Sequence, residues 1–201
     1  MKQHLTALSK TAIISCLLSA SLLLGGCSSI KVVETWKQPT WSNPAFRKPM
    51  ILAVGYDENR IAIIEDVLVA EMGRGGVTAV AGHNFIPVIK GSSRDTIVAA
   101  VRKAGADAVL SMQVLSRGDS RVTQGGQSGG IYGTATNVAG SYIPAAKSYD
   151  DAAVQANLYD SATAELVWSA TITTYDADRE VRVSRDLAKF FLEKLRKDGF
   201  L

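Results

Sequence analysis

A chain of 201 residues with a formal charge of only +3 is too short for several full domains and lacks the strong positive excess of a nucleic-acid binder, which needs a clustered basic face. Apolar residues make up 47% of it, enough for one sizeable core and too many for a disordered chain. Two cysteines and two histidines leave little material for metal or thiol chemistry.

The first element reads as a leader. Lys2 and Lys10 flank a polar start without acids, and residues 11–24, TAIISCLLSASLLL, are almost wholly apolar. That run is shorter than the roughly 20 residues a spanning helix needs. A charged start, a short apolar stretch and small residues after it are the layout of a secretory signal peptide. Leu24-Gly25-Gly26-Cys27 follows directly and resembles the bacterial lipobox. The resemblance implies diacylglycerol on the Cys27 sulfur, cleavage before Cys27 and acylation of the new amino terminus. One acyl chain holds weakly, at roughly 0.8 kcal/mol per methylene, but two or three chains on one cysteine make a stable anchor. The alternative is an uncut signal anchor in which Cys27 is merely small. Ser28 and Ser29, with no Asp after the cysteine, imply by likeness to enterobacterial lipoproteins an outer-membrane protein facing the periplasm.

Loss of residues 1–26 removes two lysines and no acid, so 175 residues with a formal charge of +1 remain. Cys16 and His4 leave with the leader and Cys27 is lipidated. The mature chain then has no disulfide in an oxidising compartment, no cysteine metal site and one histidine, His83, which excludes a His-rich zinc site.

Residues 27–48 read as a lipidated tether. Pro39, Pro44 and Pro49 oppose helix and favour extended chain. Trp36, Trp41 and Phe46 either pack on the domain or touch a partner or the membrane surface.

The periplasmic domain is expected over 49–201. MILAVGY, from residue 50, has the unbroken apolar character of a buried strand. Asp57 or Asn59 can cap a helix in which Ile61, Ile64, Leu68 and Met72 form a stripe, and Gly75 and Gly76 end it. VTAVAG or HNFIPVI supplies a second strand. A second helix follows, with Ser92 and Asp95 as a capping box, Ile97, Val101 and Ala104 as its stripe and Gly105 at its end. DAVLSMQVLS is a third strand. Strand-helix-strand-helix-strand argues for parallel pairing. Residues 117–150 hold 7 of the 17 glycines and too few large apolar side chains for a core, so they read as a long flexible surface loop, a floppy hairpin or a binding element. On either side of SATA, Val154, Ala156 and Leu158, then Leu166, Trp168, Ala170 and Ile172, recur at period two, which predicts a hairpin with one buried face. The final helix carries Leu187, Phe191 and Leu195 on one face, with Ser184 as its cap and Gly199 after it. The predicted fold is one α/β domain with a mixed, mostly parallel sheet of about five strands and three helices, and Trp168 buried against the last helix.

No chemistry converges. GGQSGG lacks the Gly-Lys-Ser/Thr of a phosphate loop and the spacing of G-x-G-x-x-G. Ser128 sits in a near-miss of the nucleophile elbow, with His83 as its only candidate base. The pairs Asp57-Glu58, Glu65-Asp66 and Asp150-Asp151 read as solvated or capping acids, and Arg117-Gly118-Asp119 is too short to inform. His83 reads as a loop or strand-edge residue. The expectation is therefore no catalytic, cofactor-binding or metal residue, and a non-enzymatic binding or envelope-assembly module.

The lipobox, TWKQP, GADAVL, the glycine-rich middle, NLYDSATAELVWSA and the closing LRKDGFL together resemble an uncharacterised proteobacterial outer-membrane lipoprotein family. The order of elements is more distantly similar to the periplasmic α/β domain of the curli-secretion-channel, penicillin-binding-protein-activator and exopolysaccharide-secretion lipoproteins. That likeness implies protein binding or ring assembly rather than catalysis. The expected partners are the membrane, through Cys27, and an envelope protein, with no nucleic acid. The alternatives are a structural subunit of an oligomeric envelope or secretion complex, including a homo-oligomer, and, more remotely, a hydrolase.

Overall fold

The computed structural model describes residues 29–86, 92–117, 152–175 and 179–201. The leader, Cys27, nearly all of the glycine-rich stretch with Ser128, and the Asp150-Asp151 pair lie outside the described residues. In chain order the elements are β1 (Ile30–Lys37), β2 (Pro49–Val54), α1 (Glu58–Arg74), β3 (Val80–Ala81), a 3-10 turn (Gly82–Asn84), α2 (Arg94–Ala104), β4 (Ala108–Arg117), β5 (Ala152–Asp160), β6 (Leu166–Thr174) and α3 (Glu180–Asp198). They build one six-stranded sheet of order β1-β6-β5-β4-β2-β3.

The α/β class is as expected, and the balance of the sheet is not. β4, β2 and β3 are parallel, as the alternating strands and helices require. The other three neighbouring pairs, β4 with β5, β5 with β6 and β6 with β1, are antiparallel. The sixth strand is β1, drawn from the stretch read as tether. Ile30, Val32, Val33 and Thr35 are β-branched and suit a pleated surface, and the chain pairs from Ile30 opposite Thr174 to Lys37 opposite Trp168. Pro39 stands just beyond the strand, where its missing N–H does no harm.

The rest of the former tether is tied down as well. Trp41 lies 5.3 Å from the ring of Phe46 and 5.4 Å from that of Phe200, and the Phe46 amide donates to the Phe200 carbonyl at 2.8 Å. The Asp107 carboxylate accepts from the amides of Arg47 (2.7 Å) and Lys48 (2.9 Å).

Helices α1 and α3 cover one face of the sheet. Ile61, Ile64, Leu68 and Met72 from α1 and Leu187, Phe191 and Leu195 from α3 join Ile51, Leu110, Leu158 and Trp168 in the main core. α2 lies on the opposite face, where Ala100, Val101 and Ala104 meet Met50, Leu52 and Val109. Trp168 is fully buried, meets Phe191 edge-on at 6.3 Å and donates its indole N–H to Asp198 at 3.0 Å. The expected core role stands, with a polar partner at the end of α3.

Three boundaries differ from the sequence reading. α3 begins at Glu180, so Ser184 lies buried inside the helix and caps nothing. Ser93, one residue after the expected cap, accepts from the Thr96 amide at 3.2 Å. Of the two candidate second strands, Val80–Ala81 of the first pairs, and among the described residues of the second His83-Asn84 turn away in the 3-10 segment. Gly82 permits that turn: a Cβ there would lie 2.2 Å from Leu52 Cδ2 and 2.9 Å from the Ile51 carbonyl.

Candidate functional site at the start of the sheet

The chain enters the described structure at Ser29. This residue is 5% exposed, and its amide, hydroxyl and carbonyl are all engaged. Its amide donates to Asp186 Oδ2 at 3.0 Å and its hydroxyl donates to the same oxygen. Its carbonyl accepts from the Tyr175 amide at 2.7 Å. Asp186 projects from the second turn of α3, and Tyr175 follows β6. Three elements thus close on one serine two positions after Cys27. Burial alone would raise the Asp186 carboxyl. The two bonds from Ser29 and the cations of Lys189 and Arg182 outweigh it and hold the group below its ordinary value of 3.8. The clasp is therefore an ionised carboxylate receiving two donors, the stronger kind of hydrogen bond.

Beyond the clasp, β1 forms one edge of the sheet, and among the described residues no strand pairs with its outer side. Lys31, Val32, Glu34, Thr35 and Lys37 are exposed along it, and the pairing register shifts between Val32 and Glu34. Val32 (41% exposed) and Tyr175 (39%) are two of the four large hydrophobic side chains left exposed among the described residues.

A second feature lies at the carboxyl end of β2. Glu65 faces inward from α1 and is wholly buried. It accepts from the Ala53 amide (2.8 Å), the His83 amide (2.7 Å) and the His83 ring Nδ1 (2.9 Å). β3 leaves β2 after pairing Ile51 with Ala81, so the Ala53 amide has no strand opposite and Glu65 takes that place. The far ring nitrogen of His83 stands 3.5 Å from Asp66. Burial pushes the Glu65 carboxyl above its ordinary value of 4.5, against the pull of the two amides and of His83. Acid, imidazole and acid lie in a row, but the arrangement serves backbone amides that must be satisfied. It is a structural staple; His83 lies in the turn at the end of β3, a loop or strand-edge position as expected, and has Glu65 as a carboxylate partner.

Of the other acids singled out, Asp57 caps α1 by accepting from the Arg60 amide at 3.0 Å, and Glu58 opens that helix. A small cleft between the ends of β4, β5 and β6 and the start of α3, lined by Tyr56, Ile64, Val114, Glu180 and Leu187, encloses about 20 Å³. That is room for water, not for a metabolite. Among the described residues no group of three or more His, Cys, Asp or Glu is placed to hold a metal ion, and no helix is long and apolar enough to cross a membrane.

Sequence reasoning missed both Glu65 and Asp186. Glu65 carried a signal. With Ile61, Ile64, Leu68 and Met72 it completes the i, i+3, i+4, i+7, i+11 stripe of a core-facing helix, so its acid had to enter the core. Asp186 carried none, because its partner is 157 residues away in sequence.

No family model matches the chain, and no curated protein matches it. Solved structures do. The chain is similar to the PelC dodecamer from Paraburkholderia phytofirmans, at 17% identity and a TM-score of 0.43, over 81% of this chain and 95% of that one. It is also similar to a single-substitution variant of the same dodecamer, at 16% identity and a TM-score of 0.41, over 80% and 97% of the two chains. Coverage is broad and superposition loose.

Proposed function

We propose that this chain is a lipid-anchored periplasmic lipoprotein of the outer membrane, of the proteobacterial kind its motifs resemble, and that it acts without catalysis as an envelope-assembly module. The observation that carries the reading is the join between anchor and fold. The sheet starts at Ile30, three residues after the lipobox cysteine, and the clasp on Ser29 fixes that start. A lipid on Cys27 would hold a folded domain, not a loose tail, at the membrane.

A subunit role in an oligomeric envelope or secretion complex is favoured by the shape of the sheet. One edge, β3, is two residues long and continues into the 3-10 turn, whereas β1 offers eight residues. A long edge is a template for another strand, while Lys31, Glu34, Lys37 and the bulge discourage indiscriminate pairing and leave a partner of matching charge. A photo-crosslinking residue at Thr35 tests this in cells. A single crosslinked species, either a dimer of this chain or one defined envelope protein, supports the reading. No adduct from Thr35, with adducts from Ala99 on α2 at the same level as background, contradicts it.

A further inference from the structure

The chain between the lipobox cysteine and the fold is almost nothing. Only Ser28 separates Cys27 from Ser29, so Ser29 lies at most about 7 Å from the cysteine Cα. The headgroup layer of one leaflet is itself about 5–7 Å thick, half the difference between a hydrocarbon core of roughly 30 Å and a bilayer of roughly 40–45 Å. Acyl chains on the Cys27 sulfur must reach the hydrocarbon. The linker is then spent crossing the headgroups, and Ser29 emerges at their surface. Ser29 cannot peel away to lengthen the linker while its amide and hydroxyl are held by Asp186 and its carbonyl by the Tyr175 amide.

We infer that the surface around Ser29, formed by Lys31 and Val32 of β1, Tyr175 after β6 and the Arg182–Lys189 face of α3, rests directly on the phospholipid headgroups, so that the domain stands on the membrane in one orientation. The inference depends on lipidation of Cys27, the anchor of the proposed function. The surface is mixed in sign: Arg182 and Lys189 act on Asp186, and Lys31 and Glu34 stand exposed on β1. It suits zwitterionic headgroups, which present phosphate and ammonium together, and it has no need of anionic lipid. Exposed Val32 and Tyr175 fit the same place, with apolar bodies at the boundary and the tyrosine hydroxyl towards water. Asp186 acts here as a positioning residue. The rest of the β1 edge runs away from the membrane and stays open to a protein.

The test uses the full lipidated chain in phosphatidylethanolamine vesicles, with and without phosphatidylglycerol. Once Cys27 is acylated, an introduced cysteine is the sole thiol. A fluorophore is placed at Val32→Cys, or at Lys31→Cys should the first fold poorly, and in a second protein at Ala99→Cys on α2. Ala99 lies over the β2 side of the sheet, on the face opposite α3, and β2 is four strand spacings, roughly 19 Å, from β1. Quenching by headgroup-labelled lipid is measured for each. Quenching several-fold stronger at position 32 than at 99, little altered by phosphatidylglycerol, is expected. Insertion of about ten Gly-Ser residues after Ser28, with a mean span of roughly 16–19 Å, should remove most of it without shifting the melting midpoint. Equal quenching at 32 and 99, or quenching at 32 that survives the insertion, overturns the inference. A chain that fails to float with the vesicles overturns the anchor reading itself, which distinguishes the two failures.

Discussion

Glu65 shows how one side chain can bind three segments and pay for it with a titration. Its carboxyl holds its proton more tightly in the folded chain than in the unfolded one, since its value is raised from 4.5. Its contribution to stability is therefore complete below pH 4.5 and declines as pH rises through the elevated folded value. Glu65→Gln should remove that part of the pH dependence, at a cost of about 1–3 kcal/mol for the amide left without an acceptor. Melting midpoints of wild type and variant across the acidic to neutral range give the comparison, and parallel curves would show that Glu65 does not titrate with folding. Trp168 makes a simpler claim. It is fully buried against Phe191 and bonded to Asp198, so Trp168→Ala should cost about 3–5 kcal/mol, the range for a large aromatic in a core. Denaturant unfolding measures this, and an unchanged midpoint would place the ring at a surface. Trp168→Phe keeps most of the volume and loses the indole donor, so its cost should fall well below that of Ala.

At the scale of elements, β1 is where the account and the sequence part. The helices were legible because their stripes repeat at i, i+3, i+4, and the hairpin because β5 and β6 alternate around a short turn. β1 was not. Its exposed edge and the bulge after Val32 break strict alternation, and three nearby prolines speak of a tether. The parallel half of the sheet followed from strand-helix alternation. The antiparallel majority did not, because nothing local says that residue 30 pairs with residue 174. For the same reason the clasp between Ser29 and Asp186 stayed hidden, while Glu65 could have been found from its place on the α1 stripe. A tether and an edge strand respond differently to removal. Deleting residues 30–37 would uncover β6, where Trp168, Ala170 and Ile172 face the core and the ladder amides lose their partners. We expect an insoluble or strongly destabilised chain, because an exposed apolar edge pairs with other chains. A soluble deletion variant that melts like the wild type would return β1 to the status of tether.

The described residues form one six-stranded α/β sheet domain whose first strand starts three residues after Cys27 in the sequence. Asp57 serves as a cap, Glu65 with His83 as a staple and Asp186 as a clasp, and among the described residues β1 is left as a long unpaired edge. The central claim is that Cys27 carries the lipid on which this arrangement depends. Metabolic labelling with radioactive palmitate, followed by separation of membranes, tests it most directly. The wild-type chain should carry label, lose residues 1–26 and sediment with the outer membrane, whereas Cys27→Ala should remain an unlabelled, unprocessed precursor. Equal label on both chains, or a processed and unlabelled wild type, would contradict the account.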